Sequence, residues 1–153
     1  GHSPGWELVD VTALTDAGTA DHMTWDVTDL GFRMGLSPRV PDVLARYVGG
    51  VVEELLDGAG LRIEDVAGWA VHPGGPRILD VVAAQLGLPP DALDASRSVL
   101  AEHGNCSSAT VLMVADELTR ARPVPPGGYV VALAFGPGLT LYAALLRARS
   151  LSR

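Results

Sequence analysis

Lysine is absent from this 153-residue chain; all 11 basic side chains are arginine. Schiff-base catalysis, a P-loop lysine and every other lysine-dependent chemistry are therefore excluded. Cysteine is nearly absent too, and the single Cys106 cannot form an internal disulfide. Long hydrophobic runs are missing: the longest, residues 129–135, has seven residues, where a membrane-spanning helix needs about 18 or more. No membrane partner is expected. The start, Gly1-His2-Ser3-Pro4-Gly5, has neither a basic segment nor a following apolar block, so it does not read as a secretory signal and the expected location is cytoplasmic. With no initiator methionine, it reads as a segment cut from something longer. The 11 basic side chains stand against 18 acidic ones, a formal charge of −7, and the arginines are scattered. Nucleic acid is not expected as a partner, because phosphate neutralisation needs a clustered basic face. What is present is apolar material, 48% of the residues, in a chain long enough to bury roughly 70% of its unfolded surface in one core. One domain over residues 1–153, folding without metal or disulfides, is the expectation.

Residues 6–14, WELVDVTAL, alternate apolar and polar, which predicts a strand with one face buried. Strand-like segments follow at 23–27 and 32–36, broken by Asp29 and Gly31. From Val40 the apolar pairs Val43/Leu44, Tyr47/Val48, Val51/Val52 and Leu55/Leu56 recur at three-and-four spacing, one face of a helix stopped by Gly58 and Gly60. Gly49-Gly50 sits inside it at a cost of about 1 kcal/mol each, which predicts a close backbone packing contact there. A short apolar strand at 66–71 feeds His72-Pro73-Gly74-Gly75, and Pro76 stands where a first helical residue belongs. A helix at 77–86, a short helix from about Ser96 to Gly104, and a helix at 105–122 follow. The apolar or small first half of that last helix predicts burial against a sheet. Apolar strands at 129–135 and 139–146, joined by Gly136-Pro137-Gly138, read as a hairpin. The order gives an α/β fold, a layered mixed sheet with a buried helix.

His72 falls at the C-terminal end of a buried strand, where ligands collect in open α/β sheets; a histidine satisfied on a turn is the plainer alternative. Asn105, at the mouth of the 105–122 helix, is either an N-cap or an amide donor toward an oxygen gaining negative charge, helped by the positive end of the helix. A Cys-His-Asn triad of Cys106, His72 and Asn105 fails on geometry, since neighbours at a helix start diverge by about 100°. Cys106 is expected buried as a small apolar side chain. His22 and His103 lack ligand-spaced carboxylates or cysteines, so no metal site is expected. The glycines of Gly136-Pro137-Gly138 leave room for a bulky substrate near the backbone.

His72-Pro73-Gly74-Gly75-Pro76 with Ile78-Leu79-Asp80, then Gly104-Asn105-Cys106-Ser107-Ser108-Ala109, then Ala134-Phe135-Gly136-Pro137-Gly138-Leu139-Thr140, resemble in order and spacing the C-terminal half of a type III polyketide synthase, the chalcone synthase family. Related carrier-protein-dependent condensing enzymes carry Gln-Ala-Asn after the histidine in place of Pro-Gly-Gly. The resemblance covers essentially the whole chain and implies one thiolase-like half of a larger enzyme. It also implies an acyltransferase that loads an acyl group from acyl-CoA onto a cysteine, decarboxylates malonyl-CoA and condenses the two. Both CoA thioesters are substrates, and no cofactor is implied. His72 and Asn105 match the family's paired oxyanion donors, the histidine also helping to keep the cysteine as thiolate. Phe32 matches the aromatic gatekeeper between CoA tunnel and cavity, Ser107 a cavity position near the catalytic centre, and Gly136, Pro137 and Gly138 the loop shaping the cyclisation pocket.

The family's nucleophilic cysteine lies in the first half, and this chain has no counterpart; Cys106 stands where an apolar neighbour of the asparagine is usual. The isolated chain is thus expected to be inactive, with the N-terminal half and a homodimer partner completing the site. Ala134 and Tyr142 stand where a glycine and an acid are common. A non-catalytic stand-alone module that binds acyl-CoA or pairs with another chain is the rival reading. Another CoA-dependent condensing enzyme is a third, disfavoured by the Pro-Gly-Gly context.

Overall fold

A computed structural model describes residues 5–149; the reading of the Gly1-His2-Ser3 start lies outside them. Six strands and four α-helices follow in the order β1 (Trp6–Thr15), β2 (Met23–Thr28), β3 (Gly31–Leu36), α1 (Val40–Gly58), β4 (Val66–Val71), α2 (Pro76–Leu86), α3 (Asp94–His103), α4 (Ala109–Ala121), β5 (Tyr129–Gly136) and β6 (Thr140–Ala148). The main sheet runs β1-β6-β5-β4, and β2 and β3 form a separate hairpin. β4 and β5 pair in parallel, whereas β6 runs antiparallel to both β5 and β1, so the sheet is mixed.

Helices cover both faces because alternate strand residues point to opposite sides. Trp69, Val71, Val131, Leu133 and Leu145 pack with Val52, Leu55 and Leu56 of α1 and Leu79 and Val82 of α2. Ala70 and Val130 face the other way, onto Ala95 and Val99 of α3 and Val114 and Leu118 of α4. A third cluster closes one end of the sheet, where Met23, Val40, Val43, Leu44 and Ile78 surround Leu139. α2 starts on Pro76 and stops at Gly87, whose φ of 61° supplies the left-handed cap.

Three expectations change. β1 forms, but after the half-buried Trp6 its Leu8, Val9 and Val11 are exposed, so the expected buried face is not continuous. It is an edge strand paired only with β6, and its register slips between Leu8 and Asp10, which interrupts the period-two pattern that alternation alone suggests. Gly49 and Gly50 make no close backbone contact; a Cβ on either would meet nothing within 4 Å. They sit where α1 turns from its buried stripe toward solvent. The last long helix begins at Ala109 rather than 105. α4 is buried against the sheet through Thr110, Val114 and Leu118, while Leu112 on its other side is 72% exposed.

Candidate active site

His72 continues β4 by one residue: its amide donates to the Leu133 carbonyl of β5 at 2.8 Å. The chain then turns sharply, with the Gly74 amide donating to the His72 carbonyl at 3.0 Å, and Pro76 opens α2. The residue is 9% exposed, and no hydrogen-bond partner for its imidazole occurs among the described residues. Burial pushes its pKa down from the ordinary 6.5, because desolvation penalises the imidazolium. The ring is therefore neutral near pH 7 and can donate one N–H to a substrate oxygen.

That burial has a consequence for stability. Below pH 6.5 the unfolded chain takes up a proton on His72 that the folded chain, with its lowered pKa, refuses. Stability is thus unaffected above that pH and declines on acidification until the folded ring titrates as well. Between pH 7.5 and 5.5 the thermal midpoint of the full-length protein should fall more steeply than that of its His72→Gln variant. An equal or shallower fall in the parent would contradict it.

α4 brings Asn105 to the same edge of the sheet. Leu118 of α4 packs over Gly68, where an added Cβ would stand 2.8 Å from its Cδ2. Because α4 leads through a short loop into the start of β5, it runs antiparallel to β4 and β5. From Leu118 back to Thr110 is about 12 Å of helix, and from Gly68 forward to His72 is about 13 Å of strand. The mouth of α4 and His72 therefore reach the same end of the sheet. The start of α3 is tied to the end of β4 by the buried Ser96, whose Oγ accepts from the Val71 amide at 3.2 Å. Ser96 escaped the sequence reading, since a serine inside a helix carries no signal of the strand edge it caps.

Asn105 is not the N-cap of α4; Ser108 is. Asn105 lies in the preceding turn, where its Oδ1 accepts from the Ser107 amide at 2.9 Å. The carbonyl side of the amide is thereby occupied, leaving the Nδ2 protons as its free function. Ser107 has a φ of 61°, a left-handed conformation costly for a residue with a Cβ. Cys106 is exposed, not buried, because it sits in this turn ahead of the helix; its Sγ lies 3.5 Å from the His103 carbonyl.

The Gly136-Pro137-Gly138 segment closes the β5–β6 hairpin at the same edge, on the strand beside His72. Gly138 has a φ of 75° and Leu139 one of 43°, and the Gly138 amide donates to the Met23 carbonyl at 2.9 Å. A Cβ on Gly136 or Gly138 would meet nothing within 4 Å, so the backbone there borders open space. Met23 is the base of the β2–β3 hairpin, on which Phe32 pairs with Val27. Phe32 is 76% exposed and meets Trp25 edge-on, ring centroids 6.2 Å apart. Met23, Trp25, Val27, Phe32, Met34 and Leu36 share one apolar face by their register. Phe32 stands about 13 Å along the hairpin from Met23, so His72, Asn105 and the Gly136–Gly138 loop share the sheet edge while Phe32 projects beyond it. No metal-binding group of three or more His, Cys, Asp or Glu occurs among the described residues, and no described helix is long and apolar enough to cross a membrane.

Residues 13–150 match the family described as chalcone and stilbene synthases, C-terminal domain. The chain belongs to that family. Among relatives of this synthase domain, a 1,3,6,8-tetrahydroxynaphthalene synthase of Streptomyces peucetius subsp. caesius is 40% identical over 94% of the chain and 38% of the relative. A 3,5-dihydroxyphenylacetyl-CoA synthase of Amycolatopsis orientalis is 36% identical over 88% of the chain and 36% of the relative. The crystal structure of a fungal type III polyketide synthase, ORAS, superposes with a TM-score of 0.85 at 30% identity, covering 94% of this chain and 41% of that one. The synthase domain thus spans well under half the length of the proteins it matches. It has the α/β fold of the C-terminal part of type III polyketide synthases.

Proposed function

We propose that this chain is the C-terminal part of a type III polyketide synthase that decarboxylates malonyl-CoA and condenses the product with a cysteine-bound acyl starter. The observation that supports the proposal is the placement, at the same end of the sheet, of a buried His72 held neutral and of the turn carrying Asn105, whose Oδ1 is already engaged. A neutral imidazole and a carboxamide then offer two N–H donors and no charge. Loss of carbon dioxide from the malonyl group leaves an enolate on the thioester oxygen, and attack of that carbanion on the acyl thioester creates a tetrahedral oxyanion. Two preorganised donors aimed at such an oxygen lower both barriers.

The other half of the enzyme supplies the nucleophilic cysteine, since Cys106 is exposed on the turn beside Asn105, with its Sγ against the His103 carbonyl. Residues 1–153 form one thiolase-like domain, inactive by itself, that works in a cytoplasmic homodimer on acyl-CoA and malonyl-CoA and needs no cofactor. The exposed Leu112 of α4 and Leu8, Val9 and Val11 of β1 are apolar surface that the N-terminal half covers. Phe32 gates the cavity, Ser107 lines it near the reacting thioester, and Gly136, Pro137 and Gly138 shape the space for ring closure. The relatives named as makers of tetrahydroxynaphthalene and dihydroxyphenylacetyl-CoA support a polyhydroxylated aromatic product.

The test is mass spectrometry of the full-length enzyme incubated with malonyl-CoA and a panel of acyl-CoA starters. Release of carbon dioxide with formation of condensed products is expected. Binding of acyl-CoA without any decarboxylation would favour the non-catalytic module instead.

A further inference from the structure

We infer that Thr110 is a positioning residue for Asn105, its hydroxyl clamping the turn that carries the oxyanion donor. The inference rests on the proposed role of Asn105. Thr110 lies in the first turn of α4 and is fully buried, with 0% exposure. Its Oγ1 accepts from the Cys106 amide at 2.9 Å and donates to the Ser107 carbonyl at 2.8 Å. One hydroxyl thus bonds the two residues that follow Asn105, using its donor and an acceptor site at once.

The turn needs such a clamp. Ser107 is held left-handed at a φ of 61°, a conformation that an unrestrained serine leaves readily. Asn105 in turn takes its side-chain orientation from the Ser107 amide, the donor to its Oδ1 at 2.9 Å. Were Ser107 to relax, that amide would swing away and the carboxamide would be free to rotate. The order of dependence therefore runs from Thr110, through the backbone of Cys106 and Ser107, to the Nδ2 protons of Asn105. His72 is the independent observation that points to a ligand at this edge: the residue is nine-tenths buried, and its imidazole has no protein partner among the described residues while its ring nitrogens reach open space, so its N–H is available for a substrate atom. Valine would fill the same volume as Thr110 without either bond, and serine would keep both.

In the full-length enzyme, T110V should lower kcat for malonyl-CoA decarboxylation about tenfold or more, as misplacement of a catalytic group by a fraction of an ångström does, with KM changed less than about threefold. T110S should recover kcat to within about threefold of the parent. Hydrogen exchange of the segment 104–108 should accelerate in T110V and not in T110S. If T110V does not fold, T110A takes its place in the same three measurements. Parental kcat in T110V, or a loss of kcat in T110S equal to that in T110V, would overturn the inference. Parental kcat in Asn105→Ala would instead remove the reading on which it rests, so the two failures are distinguishable.

Discussion

The full-length enzyme carrying His72→Ala should decarboxylate malonyl-CoA about 10² to 10³ times more slowly than the parent, and Asn105→Ala should lose a similar factor. The size follows from what each side chain offers. An enolate or oxyanion in a partly dry site is stabilised by donors already in place, and deleting one leaves the negative charge short of a hydrogen bond at the moment it forms. His72 is suited to this because burial keeps it neutral: an imidazolium would already be charged before the reaction began and would bind the malonyl carboxylate more tightly in the ground state. Asn105 is suited because its carbonyl oxygen is occupied by the Ser107 amide, which leaves the Nδ2 protons as the end free to donate. The double variant should fall little below the worse single one, since residues acting on one oxygen are not additive. Release of carbon dioxide from malonyl-CoA, measured against substrate concentration, reads this directly. Parental rates in both single variants would overturn the assignment.

Leu133→Ala should destabilise the protein by about 2–5 kcal/mol. Leu133 is fully buried in β5, between β4 and β6, with the α1–α2 layer packed over its face. The sheet beneath is hydrogen-bonded on both sides and cannot collapse into the space left by the side chain, so cavity and transfer costs add. Leu133→Met conserves volume and should cost under about 1.5 kcal/mol. Urea midpoints of the two variants against the parent test this. A cost below 1 kcal/mol for the alanine variant would mean that the layer over β5 is looser than its burial indicates. Leu133 also accepts the His72 amide, so the alanine variant should retain its decarboxylation rate only where it remains folded.

Much of this architecture is legible in the residues. The strand Val66–Val71, the Pro76 and Gly87 boundaries of α2, the long amphipathic α1 and the Gly136-Pro137-Gly138 hairpin come from local rules, because a proline, a glycine or a three-and-four apolar repeat acts on its own stretch of backbone. The misreadings share one cause. β1 alternates, yet its pairing slips at Leu8/Asp10; the last long helix reads as starting at Asn105, yet α4 starts at Ala109; Cys106 looks like core, yet it lies on an exposed turn. In each case a neighbour distant in sequence, or a backbone conformation such as that of Ser107, outweighs the local preference.

The sequence by itself determined the chemistry available: no lysine, a single cysteine, and a histidine and an asparagine in motifs that resemble the C-terminal half of a type III polyketide synthase. These are statements about which functional groups exist and in what order, and the order survives any folding. Only the tertiary structure decided where those groups lie relative to one another. The antiparallel run of α4 against β4 brings residues 33 positions apart in sequence to one sheet edge, burial makes His72 neutral, and a buried threonine hydroxyl with no sequence signature holds the strained turn beside Asn105. Proximity, desolvation and strain arise from contacts between distant segments, and no periodicity or motif encodes them.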